Sequence, residues 1–160
     1  MPASLFIPWE DLKLNEVACD KDTIYQRMPQ SYEFKLLDAI CMLDVDTGLA
    51  VAMHDCKPDE WWVRGHIPER PIFPGVLQLE AAAQITAFLT HYAKEYEGFV
   101  AFGGVEQCRF REIVQPPDRF VLICKVLENR KRRVRSTVQG VVEGRLVFEA
   151  QIIGMPATIS

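Results

Sequence analysis

His66 and Glu80 are the residues of this chain whose types and spacing could do chemistry together. His66 lies in the proline-rich loop Gly65-His66-Ile67-Pro68-Glu69-Arg70-Pro71-Ile72-Phe73-Pro74-Gly75-Val76-Leu77, and Glu80 lies just beyond it in Gln78-Leu79-Glu80-Ala81-Ala82-Ala83-Gln84. Between them, Pro74-Gly75 marks the start of a helix, whose first backbone N–H groups have no partner within the helix and should point into the same region. A neutral imidazole is available as a base near pH 7, because its unperturbed pKa is about 6.5. An imidazole, a carboxyl and a helix N-terminus amount to a base, an acid and an oxyanion site. Elimination next to a carbonyl needs those three parts.

Each residue also has a structural reading. His66 could be a loop histidine satisfied by backbone carbonyls. Glu80 could be a first-turn carboxylate stabilised by the helix dipole. The dipole favours its anion and burial favours its neutral acid, so the sequence leaves its charge open. Glycine at position 75 permits a tight turn beside Pro74, and the same lack of a side chain would let a carbonyl reach backbone N–H groups there. His54 and His91 have no metal-ligand partner at a recognisable spacing, so no metal site is expected.

The elements that must position these groups can be read from periodicity. Leu36 to Val45 is apolar and ends at the turn signal Asp46-Thr47-Gly48, with Leu49 to Met53 as its hairpin partner. Met53 to Trp62 reads as loop. From Val76 to about Tyr96 the apolar residues Leu77, Ala81, Ile85, Phe88, Tyr92 and Tyr96 recur at helical spacing, and Gly98 is placed to end the helix. Its alanines would let a sheet approach closely. Phe99 to Arg111, Arg119 to Glu128, Arg132 to Val142 and Arg145 to Ile153 then read as antiparallel strands. Pro116-Pro117-Asp118, Glu128-Asn129-Arg130 and Glu143-Gly144 supply their turns. One long helix against such a run predicts an α+β domain. A single domain over residues 1–160 is expected, with 1–26 an arm or short helix of unassigned role.

Length and composition narrow the class. A chain of 160 residues, 49% hydrophobic and 25% charged, can bury a core as one domain. Its net charge of −4 gives no support to nucleic-acid binding. Cys19, Cys41, Cys56, Cys108 and Cys124 are scattered without C-x-x-C spacing, which fits reduced thiols in a cytoplasm. No signal peptide or membrane span is expected. The basic run Arg130, Lys131, Arg132, Arg133 and Arg135 reads as a solvated hairpin end or as a docking site for an acidic partner, with Arg109 and Arg111 as candidate additions.

The loop and helix start resemble the signature of the β-hydroxyacyl-acyl carrier protein dehydratases, roughly G-H-F-P-G-R-P-x-x-P-G-V-L-x-x-E-A-x-A-Q. Gly65, His66, Pro68, Arg70, Pro71, Pro74, Gly75, Val76, Leu77, Glu80, Ala81, Ala83 and Gln84 match it, while Ile67 replaces a phenylalanine and Glu69 a glycine. A glycine with positive φ at 69 would leave Glu69 strained or redirect the loop. Met28-Pro29-Gln30 with Phe34-Lys35-Leu36-Leu37-Asp38 is similar to the family's L-P-H-R-Y-P-F-L-L-V-D, Gln30 standing for its histidine. Gly104 to Arg111, then Val114 and Pro116-Pro117-Asp118, is similar to a later family segment, with Cys108 and Pro117 departing from it.

The resemblance implies a hotdog fold, in which a curved antiparallel sheet wraps one long helix. It implies dehydration of a (3R)-3-hydroxyacyl thioester, on acyl carrier protein or coenzyme A, to the trans-2-enoyl thioester in fatty-acid or related lipid synthesis. His66 would take the α-proton, Gly75 or Val76 N–H would hold the thioester oxygen, and Glu80 would protonate the departing hydroxyl, with no cofactor or metal. Glu80 and Val76 match the branch that does not isomerise the product, where isomerising relatives carry Asp and Cys. The family's sites are shared across a homodimer, and dimers can assemble into trimers. A hotdog thioesterase using Glu80 without His66, and a non-catalytic acyl-thioester-binding protein, are the alternatives.

Overall fold

A computed structural model describes residues 4–94 and 97–158. Seven strands form one antiparallel sheet in the order β1-β2-β3-β5-β6-β7-β4. They are β1 (Cys19–Asp20), β2 (Ala39–Asp44), β3 (Leu49–Asp55), β4 (Phe99–Phe110), β5 (Arg119–Arg130), β6 (Arg133–Val142) and β7 (Arg145–Ala157). A short helix α1 (Lys21–Arg27) follows β1, and the long helix α2 (Gly75–Lys94) lies against the sheet. This is the hotdog arrangement, as the resemblance implied. Tyr96, the last residue of the expected helical stripe, lies outside the described residues.

The helix is buried on more sides than a single stripe requires. Leu77, Ala81, Ile85 and Phe88 face the core, but so do Ala82 and Leu89, and the polar Gln78, Gln84, Thr86 and Thr90 are buried as well. Thr86 and Thr90 satisfy their hydroxyls on the carbonyls one turn back, and Thr86 also meets Ser136 of β6 at 2.5 Å. A hydroxyl buried against a sheet must find its partner locally, which these contacts supply for Thr86 and Thr90.

Two turns differ in their outcome. Glu143 and Gly144 both have positive φ, the pairing that a tight two-residue hairpin requires, so the turn between β6 and β7 lies where expected. The expected turn at Glu128-Asn129-Arg130 is instead strand: a register shift between Val126 and Glu128 lets β5 continue, and Asn129 pairs with Val134. The chain reverses at Lys131-Arg132.

The N-terminal segment has a definite place. Leu5, Ile7, Trp9, Leu12 and Leu14 pack on a second apolar cluster of Cys41, Val51, Met53, Val121, Ile123 and Val141 on the sheet face away from α2. Gln139 fastens the segment, accepting from Phe6 N–H at 2.8 Å and donating to the Ser4 carbonyl at 2.9 Å. This explains why the alternating burial of β6 stops at Val138, beyond which both faces are covered.

Candidate active site

The loop carrying His66 is fastened from beneath by an aromatic column. Phe73 is fully buried, stacks on the His54 ring with centroids 4.8 Å apart, and touches Trp62 and Phe120. Its N–H donates to the Val114 carbonyl at 2.7 Å. His54 Nδ1 donates to the Leu36 carbonyl at 2.7 Å, and Nε2 lies 2.8 Å from Glu60 Oε1 without the alignment of a full hydrogen bond. Burial works against the His54 cation, yet Glu60, with Asp38 behind it, outweighs burial and holds its pKa above the ordinary value. Burial likewise opposes the Glu60 anion, and His54 outweighs it, holding that carboxyl low.

His54, Cys56 and Glu60 bring their ligand atoms within 4.8 Å of one another, a grouping the sequence spacing did not reveal. Cys56 is buried and its thiol is pushed well up, first by burial and then by the surrounding carboxylates, which disfavours the thiolate a metal would need. With His54 and Glu60 engaged with each other, the group reads as a clasp between β3 and the loop.

His66 Nδ1 lies 2.8 Å from the Ile72 carbonyl. A carbonyl can only accept, so Nδ1 carries the proton in the neutral ring and Nε2 is left as the basic nitrogen. The structural reading of His66 holds for one nitrogen, which a backbone carbonyl satisfies, and the other nitrogen keeps a free lone pair. The ring is half-buried and borders a pocket of about 300 Å³ with Trp61, Trp62, Gly65, Pro74, Val76 and Leu77. Trp62 is buried against Phe73, as a packing role requires, whereas Trp61 is exposed at the pocket edge. The left-handed residue of this loop is Ile67, with φ of 55°, and not Glu69, so the strain considered for Glu69 falls two residues earlier.

Pro74 precedes α2, its carbonyl accepting from the N–H groups of Leu77 and Gln78. The N–H groups of Gly75 and Val76 have no acceptor among the described residues, as the geometry of a helix start dictates. Gly75 has a further reason to be glycine: a Cβ there would come within 2.9 Å of the Phe110 ring.

Glu80 is half-buried and accepts at 2.9 Å from Gln84, one turn along α2. The amide of Gln84 also donates to the Phe34 carbonyl and accepts from the Tyr25 hydroxyl at 2.6 Å, and that hydroxyl accepts from Leu37 N–H. Sequence reasoning matched Gln84 to a motif without giving it a role. The i,i+4 spacing from Glu80 was the available signal, whereas Tyr25, far away in the chain, had none.

The single chain does not gather all four candidate residues. His66 and Val76 share one pocket, and Gly75 borders another with Phe110. Glu80 lines a third, of about 120 Å³, between α2, β4, β7 and Gln30. The pockets of His66 and Glu80 have no lining residue in common.

The basic residues are divided as well. Glu128 engages Arg130 at 3.0 Å and Arg133 at 3.6 Å at the hairpin end. Arg109 pairs through Glu149 with Gln139, whereas Val134 marks the hairpin end, a separation of roughly 17 Å along β6. Arg111, paired with Glu149 at 2.9 Å, lies at that far end too, so neither arginine extends the cluster.

Residues 28–151 match the FabA-like domain family. A "3-hydroxyacyl-[acyl-carrier-protein] dehydratase FabZ" of Geobacillus thermodenitrificans is 35% identical over 136 residues, 84% of this chain and 92% of that protein. The protein of the same description from Thiobacillus denitrificans is 31% identical over 138 residues, covering 84% and 94%. Among solved structures, the dehydratase heterocomplex ApeI:P from Xenorhabdus doucetiae superposes with a TM-score of 0.72 at 10% identity, over 84% of this chain and 91% of that one. The E. coli PaaI protein of the phenylacetic acid degradation operon gives 0.59 at 13% identity, covering 84% and 88%. These structures share the fold.

Proposed function

The chain belongs to the FabA-like domain family, and from that membership we propose that it removes water from a (3R)-3-hydroxyacyl thioester to give the trans-2-enoyl thioester. The observation that carries the site assignment is the Nδ1 bond of His66 to the Ile72 carbonyl, which leaves a basic Nε2 beside a helix start. Nε2 takes a proton from C2, and the electron pair moves onto the thioester oxygen, held by the N–H groups at Gly75 and Val76. As the carbonyl re-forms, C2=C3 forms and the C3–O bond breaks. Glu80, entering as the neutral acid, protonates the hydroxyl, which leaves as water. The proton on His66 returns to Glu80 through solvent, closing the cycle. The scheme requires no metal or organic cofactor.

The carrier in this reading is acyl carrier protein, as in the description of the curated relatives. The cluster from Arg130 to Arg135 would steer an acidic carrier in a chain whose net charge is −4. Arg132→Glu should then raise KM for a carrier-bound substrate several-fold and leave a pantetheine thioester unaffected. Equal effects on both would remove the hairpin from the docking surface.

The working unit in this reading is a homodimer, in which His66 of one chain meets Glu80 of the other. The separation of the two pockets supports it. So does β4, a sheet edge with exposed Phe99, Phe102 and Val105, three of whose residues, Val100, Ala101 and Phe102, line the Glu80 cavity. Incubating the protein with a 3-hydroxyacyl thioester tests the activity. Enoyl thioester is expected, free thiol would indicate a thioesterase, and no turnover would indicate a binding protein.

A further inference from the structure

The His66 pocket is walled on one side by an aromatic residue that the reaction scheme leaves unused. Trp61 is 50% exposed and Val76 is 75% exposed, and both line that pocket. Two large apolar side chains left open beside a candidate base form a surface to be covered rather than a core. Trp61 also walls a groove of about 440 Å³, together with Pro58, Asp59, Glu60, Val63 and Arg64. It is the one described residue that lines both, so its indole stands between the pocket and the groove.

The order of atoms in the substrate decides what lies there. With the thioester oxygen at the helix start, C2 at His66 and C3 at Glu80, the acyl chain beyond C3 runs into the Glu80 cavity. The sulfur is bonded to the other side of the carbonyl, so the arm that carries the acyl group leaves across the His66 pocket. The two ends of this path differ as the two ends of the substrate do. Ala83, Ala87, Val100 and Ile152 line the Glu80 cavity and suit hydrocarbon. The groove sets an exposed acceptor, Asp59, and an exposed donor, Arg64, beside the Trp61 indole. That suits a chain with amides, whose polar atoms can bond at the rim while its methyl and methylene groups cover the ring.

We propose that the pantetheine arm of the substrate crosses the Trp61 indole on its way from the His66 pocket to the groove, making Trp61 the residue that selects pantetheine thioesters over thioesters of a shorter thiol. This rests on the dehydratase reading above. The contact lies beyond the reacting atoms, so it acts on binding of the arm and leaves the proton transfers to His66 and Glu80.

The test compares 3-hydroxybutyryl-pantetheine with 3-hydroxybutyryl-N-acetylcysteamine, which has the same acyl group and thioester but stops after the first amide. In the unaltered full-length protein KM should be about tenfold lower for the pantetheine compound, since covering the open half of a large aromatic side chain is worth about that factor. Trp61→Ala should bring the two KM values to near equality by raising the pantetheine one. Trp61→Phe, which keeps an aromatic face, should restore most of the difference. Equal KM values in the unaltered protein overturn the proposal without any variant. A difference that survives Trp61→Ala overturns it too, and would send the arm through the opening beside Gly75 and Phe110. Light scattering on Trp61→Ala checks the competing occupant: a fall in subunit number would make Trp61 a contact between copies of the chain and overturn the proposal as well. Turnover by the unaltered protein separates the two levels: enoyl formed with a KM difference indifferent to Trp61 defeats this inference alone, and no enoyl formed from either compound defeats the dehydratase reading with it.

Discussion

At the residue scale, the proposed chemistry depends on which nitrogen of His66 is basic, and the Ile72 carbonyl sets that. An imidazole free to adopt either tautomer would present its lone pair to the substrate only part of the time. Removing the ring removes the base, so His66→Ala should slow dehydration by at least about 100-fold, the usual contribution of a general base. The circular dichroism and unfolding profile should be retained. A folded His66→Ala protein with near-normal turnover would end the assignment. Glu80→Gln keeps the size and the bond from Gln84 but has no proton to give, so kcat should fall with little change in KM. If it instead abolishes substrate binding, Glu80 holds the cavity together and is not the acid.

At the scale of elements, the loop carrying His66 is only as well placed as its attachments, chief among them the His54–Glu60 clasp and Phe73. The pKa of His54 is held up in the folded protein, so its contribution is complete below the unfolded value of about 6.5 and is lost as pH rises through the folded value. The Glu60 pKa is held down, so its contribution is complete above about 4.5 and is lost as pH falls through the folded value. Together they stabilise most between those limits. Glu60→Gln should cost on the order of 2 kcal/mol near pH 6, below the 3–5 kcal/mol of a wholly buried pair because Glu60 keeps some contact with water. It should also flatten the fall in stability above pH 6.5. Urea titrations across that range decide it: an unchanged pH profile would mean the clasp is not ionic.

The elements themselves were largely legible in the sequence. The α2 helix and the later strands announce themselves by period, and Glu143-Gly144 by turn chemistry. The bulge that carries β5 through Asn129 was not legible, because a register shift depends on the partner strand. The clasp was hidden for a similar reason: Met53 to Trp62 reads as loop, and only the fold brings His54 and Glu60 within 2.8 Å of each other. Of the candidate site, the sequence supplied the residue types, and the fold supplied the Ile72 carbonyl, the Tyr25–Gln84 support and the separation of the two pockets.

At the scale of the whole molecule, two apolar surfaces outside the main core meet different fates. The face bearing Val51, Val121, Ile123 and Val141 is covered by the chain's own N-terminal segment. Deleting residues 1–18 should expose it, giving dye binding and self-association by light scattering, and a deletion that stays as well behaved as the full chain would show the covering to be dispensable. The β4 edge has no such cover among the described residues, and it borders the cavity that holds Glu80. The central claim, that His66 and Glu80 form one dehydration site across two chains, is tested most directly by mixing inactive His66→Ala and Glu80→Gln proteins while subunits exchange. Mixed dimers should recover part of the dehydration activity, because one of their two sites regains an intact His66–Glu80 pair. Demonstrated exchange without recovered activity, or a strictly monomeric active enzyme, would contradict it.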